Sequence, residues 1–341
     1  MQRIYKRTWY TRVLVALLTV GGVASIILYA DFRAFMDTPL ELPEQGLALV
    51  VEPGKSMAAI AQRLRRQAGL RVPLYWQLYA HLTGSASRIR AGEYAITRGA
   101  TPRTLLAQLV SGRVMQHALT IVEGWTFRQM LAAIAGHEKL KHTLQGLDDA
   151  AIMARLGHPS EHPEGRFFPD TYYFPAGTSD LAFLRRAYAT LEQRLSEAWQ
   201  RRASQLPLQS PYQALVLASI IEKETALPSE RREIAGVFIR RLQKDMLLQT
   251  DPTVIYGLGE AFDGDIRRRD LLADTPYNTY VRKGLPPTPI ALPGADSLTA
   301  AVNPAPGDAL YFVATGAGGH VFSRTLEEHN QAVRQYQLNR R

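Results

Sequence analysis

No cysteine occurs anywhere in the 341 residues. That excludes structural disulfides, a thiol nucleophile and any thiolate metal site. The eight histidines are scattered without ligand spacing, so no metal site is expected. No glycine loop precedes a lysine in phosphate-cradling register either, and no cofactor is expected. Lys and Arg exceed Asp and Glu by 40 to 31, a net charge of +9. Yet the chain has no basic stripe interleaved with aromatics, which argues against nucleic acid and for an anionic wall polymer or lipid surface as counterpart.

Charge is also missing from Val13 to Ala30, whereas the twelve residues before that run hold Arg3, Lys6, Arg7 and Arg12 and no acid. Such a run is long enough to span a bilayer, and its basic flank belongs in the cytoplasm. Trp9, Tyr10 and Tyr29 bracket it as interfacial aromatics do. A cleaved leader is the competing reading, but the run exceeds a usual leader core and ends in Tyr29-Ala30-Asp31, which favours an uncleaved anchor. The expected layout is a basic cytoplasmic tail at 1–12, a transmembrane helix at 13–30 and a linker at 31–46. Everything beyond the anchor would lie outside the cytoplasm, an address that suits a chain without stray thiols.

With 46% hydrophobic content the remainder can bury more than one core. Segments starting at Val51, Ile96 and Val122 share one local pattern: a β-branched residue, then Gly54, Gly99 or Gly124, then Ser56, Thr101 or Thr126 two positions on. The glycine permits a turn and the hydroxyl can cap the helix that follows. Ile60/Leu64, Leu105/Leu109 and Met130/Ile134 give each helix an apolar face. Residues 47–115 therefore read as a small α/β module with paired strands. Five aromatics in Glu164–Gly177 suit a sugar-stacking wall as a group, while for any single ring core packing is the better reading. Residues 179–201 read as an amphipathic helix, Asp274–Pro289 as a stiff cleft-wall loop, and Ala309–Ser323 as a closing hairpin around a glycine-rich turn. His320 reads as a strand-end histidine.

The densest chemical signal is Tyr212–Thr225, YQALVLASIIEKET. Its apolar run predicts a buried helix on which Leu215, Ser219 and Glu222 share a face. A carboxyl at the edge of such a helix has its charged form disfavoured by desolvation, which is the profile of a general acid. From the helix alone, an ordinary amphipathic boundary with Glu222, Lys223 and Glu224 as its solvated end is the simpler account.

The surrounding chain changes that balance. LASIIEKETALPSERREIAGVFIRRL, LQTDPTVIYGLG, TPYNTYVRKGLPPTPIALPGADSLTAAVNPA and LYFVATGAGGHVFS together resemble the endolytic murein transglycosylases of the MltG (YceG-like) family, in order and over roughly residues 45–335. The resemblance implies an α+β protein: an N-terminal transmembrane helix, a LysM-like subdomain at 47–115 and a mixed α+β catalytic domain at 116–341. It implies a single-pass inner-membrane enzyme, catalytic domain in the periplasm, that cuts nascent peptidoglycan strands internally, leaves 1,6-anhydro-N-acetylmuramic acid ends and contacts peptidoglycan synthases. The family's catalytic glutamate falls on Glu222, and Gln249, Thr250, Asp251, Tyr277, Asn278 and Tyr280 fall on motif positions near the cleft. Two rivals stay open: a hydrolysing muramidase with Asp251 as second carboxyl, although Asp251-Pro252 also reads as a helix start, and a non-catalytic wall-binding scaffold.

Overall fold

In the computed structural model, which describes residues 2–338, the chain mixes helices with short two-stranded sheets and begins with one long apolar helix, α1 (Gln2–Asp37). Within Trp9–Asp37 an 18-residue run has a mean hydropathy of 2.4, and none of that run is covered by protein. That run satisfies the length and composition of a membrane span, and the helix itself continues seven residues past the expected end at 30. The chain forms two compact units, one reaching from the N-terminus to His117 with Pro175–Gly177, the other made of Ala118–Phe174 and the chain from Thr178 on.

In the first unit β1 (Leu47–Val51) is followed by α2 (Met57–Gln67) and α3 (Pro73–Leu82), then β2 (Gly92–Ile96) and α4 (Pro102–Ser111). β1 and β2 pair antiparallel from Leu47↔Ile96 to Val51↔Gly92. Leu49, Leu64, Trp76, Tyr94, Leu105 and Leu109 are fully buried between sheet and helices. The helix starts are where the hydroxyl spacing predicts them: Ser56 and Thr101 accept from the backbone N–H of Ala59 and Thr104. Such a cap satisfies one of the donors a helix start leaves open and is worth about 1 kcal/mol. Residues 31–37 of the expected linker are helical, and Met36 and Leu40 are buried in this unit's core.

The second unit opens within β3 (His117–Thr120), from Ala118 on, followed by α5 (Phe127–Ala135), α6 (Asp149–Leu156), β4 (Thr171–Phe174) and α7 (Asp180–Gln200). Thr126 caps α5 by accepting from Gln129 N–H, and β3 pairs with β4. Then come α8 (Pro211–Glu224), α9 (Arg231–Gln243), α10 (Asp251–Leu258), α11 (Arg268–Leu272) and α12 (Ala295–Val302). The hairpin β5 (Tyr311–Ala314) and β6 (His320–Ser323), paired antiparallel, and α13 (Leu326–Val333) follow. His320 stands at the start of β6 and is bonded to Glu230.

The aromatic stretch proves to be core rather than a sugar wall. Phe167, Phe168, Tyr172 and Phe174 are buried, and only Tyr173, 59% exposed, faces solvent. β4 alternation turns Tyr172 and Phe174 inward against Phe183 of α7, and burial of large rings outweighs any benefit of exposing them.

Candidate active site

Helix α8 is the axis of the second unit. Ser210 caps it and Pro211 occupies its first turn, where the missing N–H costs nothing. Every residue from Ala214 to Ile221 is buried, packed against α7, α9, α10 and α12. A helix apolar on all sides must be enclosed on all sides. Thr225 takes an extended conformation and ends it, so Glu222 and Glu224 project from its last turn.

The face predicted to carry Leu215, Ser219 and Glu222 holds a second piece of chain. Ser219 Oγ accepts from Ile290 N–H at 3.0 Å, and Glu222 Oε2 accepts from Gly294 N–H at 2.9 Å. Gly294 caps α12, so Glu222 takes up a backbone N–H that the helix start leaves open. Glu222 Oε1 meets Arg231 Nη2 at 3.2 Å, and both side chains are under a tenth exposed. Arg231 also contacts Glu123 (3.6 Å) and Asp296 (3.2 Å). Three carboxylates thus surround one guanidinium.

Glu123 reaches this cluster from the loop between β3 and α5. Gly124 N–H donates to Leu292 O and Leu292 N–H to Trp125 O, at 2.8 and 2.7 Å, while Lys223 Nζ donates to Gly124 O. Gly294 leaves the room: a Cβ there would meet Glu123 Oε1 at 1.9 Å. Partial burial pushes the Glu123 pKa up, the nearby Glu222 charge adds to this, and Arg231 opposes it.

Glu224 points to a different set of groups. It accepts from Thr250 Oγ1, and burial pushes its carboxyl up to about 7 against that hydrogen bond. Thr250 N–H donates to Thr279 Oγ1 at 3.1 Å and Gln249 N–H to Thr279 O at 3.0 Å, so the LQTDPTV and YNTY segments meet here. Gln249 is held at φ 51°, a left-handed conformation uncommon for glutamine, with Arg241 Nη1 contacting Leu248 O and its own side chain. Asp251 opens α10 and accepts from Tyr280 OH at 2.5 Å. Tyr277 bonds Thr288 and packs edge-on against Tyr256. Asn278, 1% exposed, donates to the carbonyls of Asp270, Leu271 and Ala273 and accepts from Tyr280 N–H, so its amide holds the loop in shape. A third buried carboxyl, Glu164, accepts from Phe127 N–H and Tyr256 OH and is raised by burial to about 7.

The structure therefore gathers Thr250, Asp251 and Tyr280 around Glu224, with Gln249 held by Arg241 beside them, and surrounds the Glu222–Arg231 pair with Glu123, Gly294 and Asp296; Glu123, Arg231, Gly294 and Asp296 are not among the residues the sequence points to. The signal for Glu123 was its place before Gly124 at a turn; that for Arg231 was its position inside the same motif block as Glu222. No group of acid and histidine side chains suited to a metal is present among the described residues.

The YceG-like family model matches residues 49–335. An endolytic murein transglycosylase of Bacillus subtilis is 34% identical over 308 residues, covering 84% of this chain and 83% of the relative. One from Streptococcus pneumoniae serotype 2 is 26% identical over 368 residues, covering 95% of this chain and 64% of that protein. The crystal structure of a YceG-like protein from Listeria monocytogenes superposes with a TM-score of 0.52 at 30% identity, over 85% of this chain and 99% of the other. By the extent of the family match and by these relatives, the chain belongs to the YceG-like family.

Proposed function

We propose that this protein is an endolytic murein transglycosylase that cleaves the bond between N-acetylmuramic acid and N-acetylglucosamine within peptidoglycan strands, with Glu222 as its catalytic residue. The observation that carries the reading is Glu222 itself: a carboxyl group fixed at both oxygens, at the end of the buried helix, in a chain 34% identical to a relative of that name. Glu222 protonates the glycosidic oxygen as the C1–O4 bond breaks. The muramic acid 6-hydroxyl then attacks C1, its proton passes to the Glu222 carboxylate, and the acid is restored. No water is consumed, one carboxyl serves both steps, and the product carries a 1,6-anhydro end.

On this reading Arg231 and Gly294 N–H fix the rotamer of Glu222, while Gln249, Thr250, Asp251, Tyr277 and Tyr280 shape the sugar site and Asn278 sets the loop that presents the tyrosines. The first unit, with its paired strands and capped helices, serves as a LysM-like glycan-holding module. α1 anchors the protein in the cytoplasmic membrane, with the basic N-terminus inside and the catalytic unit in the periplasm beside the peptidoglycan synthases, where cleavage ends strand elongation. Digestion of peptidoglycan in heavy-oxygen water tests the chemistry. Transglycosylation leaves the heavy isotope out of the product, whereas incorporation at the new end would establish a hydrolase.

A further inference from the structure

The first unit carries an unpartnered apolar row. On α3, Trp76 and Ala80 point into the core while Leu74, Leu78 and Leu82, one helical turn apart, are 70%, 51% and 77% exposed. Leucines at i, i+4 and i+8 opposite the buried side form a continuous stripe. Its place along α1 says what covers it. Tyr75 OH donates to Asp31 at 3.0 Å, and the Tyr75 ring packs edge-on against Phe32 and Phe35, both at 5.7 Å between centroids. Tyr79 lies 6.1 Å from Phe32, and Arg103, over the Tyr79 ring, bonds Asp37. α3 is thus fixed to the residues that immediately follow the charge-free run.

The run Val13–Ala30 is about 27 Å long at about 1.5 Å per residue, close to the roughly 30 Å hydrocarbon thickness, so Ala30 falls at its edge. Asp31 to Phe35 then occupy the next ~6 Å, which is the headgroup layer, about 5–8 Å deep on each side. Tyr75 and Tyr79 lie at that depth as interfacial aromatics do. We propose that α3 is a second membrane contact, its Leu74–Leu78–Leu82 row resting in the lipid interface and holding the first unit on the bilayer surface at a fixed angle to α1. The helix lies on the membrane by its apolar face, as interfacial helices do. The proposal rests on the reading of α1 as a bilayer-spanning anchor.

The cysteine-free chain permits a direct test in full-length protein reconstituted into phosphatidylglycerol-containing vesicles. Single cysteines at Leu18, Lys55, Leu78 and Leu82 are labelled with an environment-sensitive fluorophore, and the lipids carry spin-label quenchers on the acyl chain just below the headgroup. Leu78 and Leu82 lie outside the core, so their replacement leaves the Trp76 side of α3 intact. The expected result is loss of emission at 18, 78 and 82 and retention at 55. Loss at 18 with none at 78 and 82 would overturn the docking while sparing the anchor, leaving the leucine row for a protein partner. No loss at 18 would overturn the anchor and the docking with it. Equal loss at 55 and 78 would overturn the assignment of the contact to α3.

Discussion

Glu164 offers a sharp test of how burial shapes this unit. The residue is 4% exposed, and its carboxyl links the start of α5, through Phe127 N–H, to Tyr256 of α10. Desolvation raises it from the ordinary 4.5 to about 7. A carboxyl raised on folding contributes stability that is fully present below its unfolded pKa and lost as pH rises through the folded one. At about 1.4 kcal/mol per pH unit, that interval corresponds to about 3 kcal/mol lost between pH 4.5 and 7. Glu164→Gln removes the titration but keeps a carbonyl for Phe127 N–H, and its amide faces Tyr256 OH, which can accept. The variant should match the parent within about 1 kcal/mol at pH 5 and exceed it by about 3 kcal/mol at pH 8. For a unit of this size that is about 6–12 °C in midpoint, readable by thermal unfolding of the detergent-solubilised chain. Parallel pH dependence in parent and variant would refute the argument.

Other changes follow from the same geometry. Arg231→Met leaves the buried Glu222 with one hydrogen bond and should cost about 3 kcal/mol, since only the Glu222 arm of the cluster is buried on both sides; turnover should fall further than substrate binding, checked by separate kcat and KM. Gly294→Ala suits the backbone, at φ −76°, but displaces the Glu123 carboxylate, so it should retain the melting temperature and alter the pH–rate profile; an unchanged profile would count against any part for Glu123. Leu217→Ala, at a fully buried position of α8, should cost about 2–5 kcal/mol in denaturant unfolding.

What was legible in the sequence was local. Ser56, Thr101 and Thr126 cap their helices because a hydroxyl at a helix start acts over three residues, a range any sequence displays. The enclosed helix α8 was legible because its apolar run leaves no polar face. For the aromatics at 164–177 the core reading of the single rings holds and the sugar-wall reading of the group does not, because composition does not say which side of a short strand faces inward and tertiary packing decides it. Glu123, Gly294 and Asp296 were invisible as partners of Glu222 because the loop after β3 and the start of α12 come from opposite ends of the unit's sequence. Asp251 opens α10 as Asp251-Pro252 suggests, whereas the part of Asn278 in holding its loop emerges only from its hydrogen bonds.

The central claim is that Glu222 acts as both acid and base in a cleavage that uses no water. It is tested most directly by mass spectrometry of the products released from purified peptidoglycan by the full-length chain and by Glu222→Gln. The account predicts 1,6-anhydromuramyl ends from the parent and about 10²- to 10⁴-fold slower release from the variant. Reducing ends from the parent, or anhydro ends from a folded Glu222→Gln at the parent's rate, would contradict it.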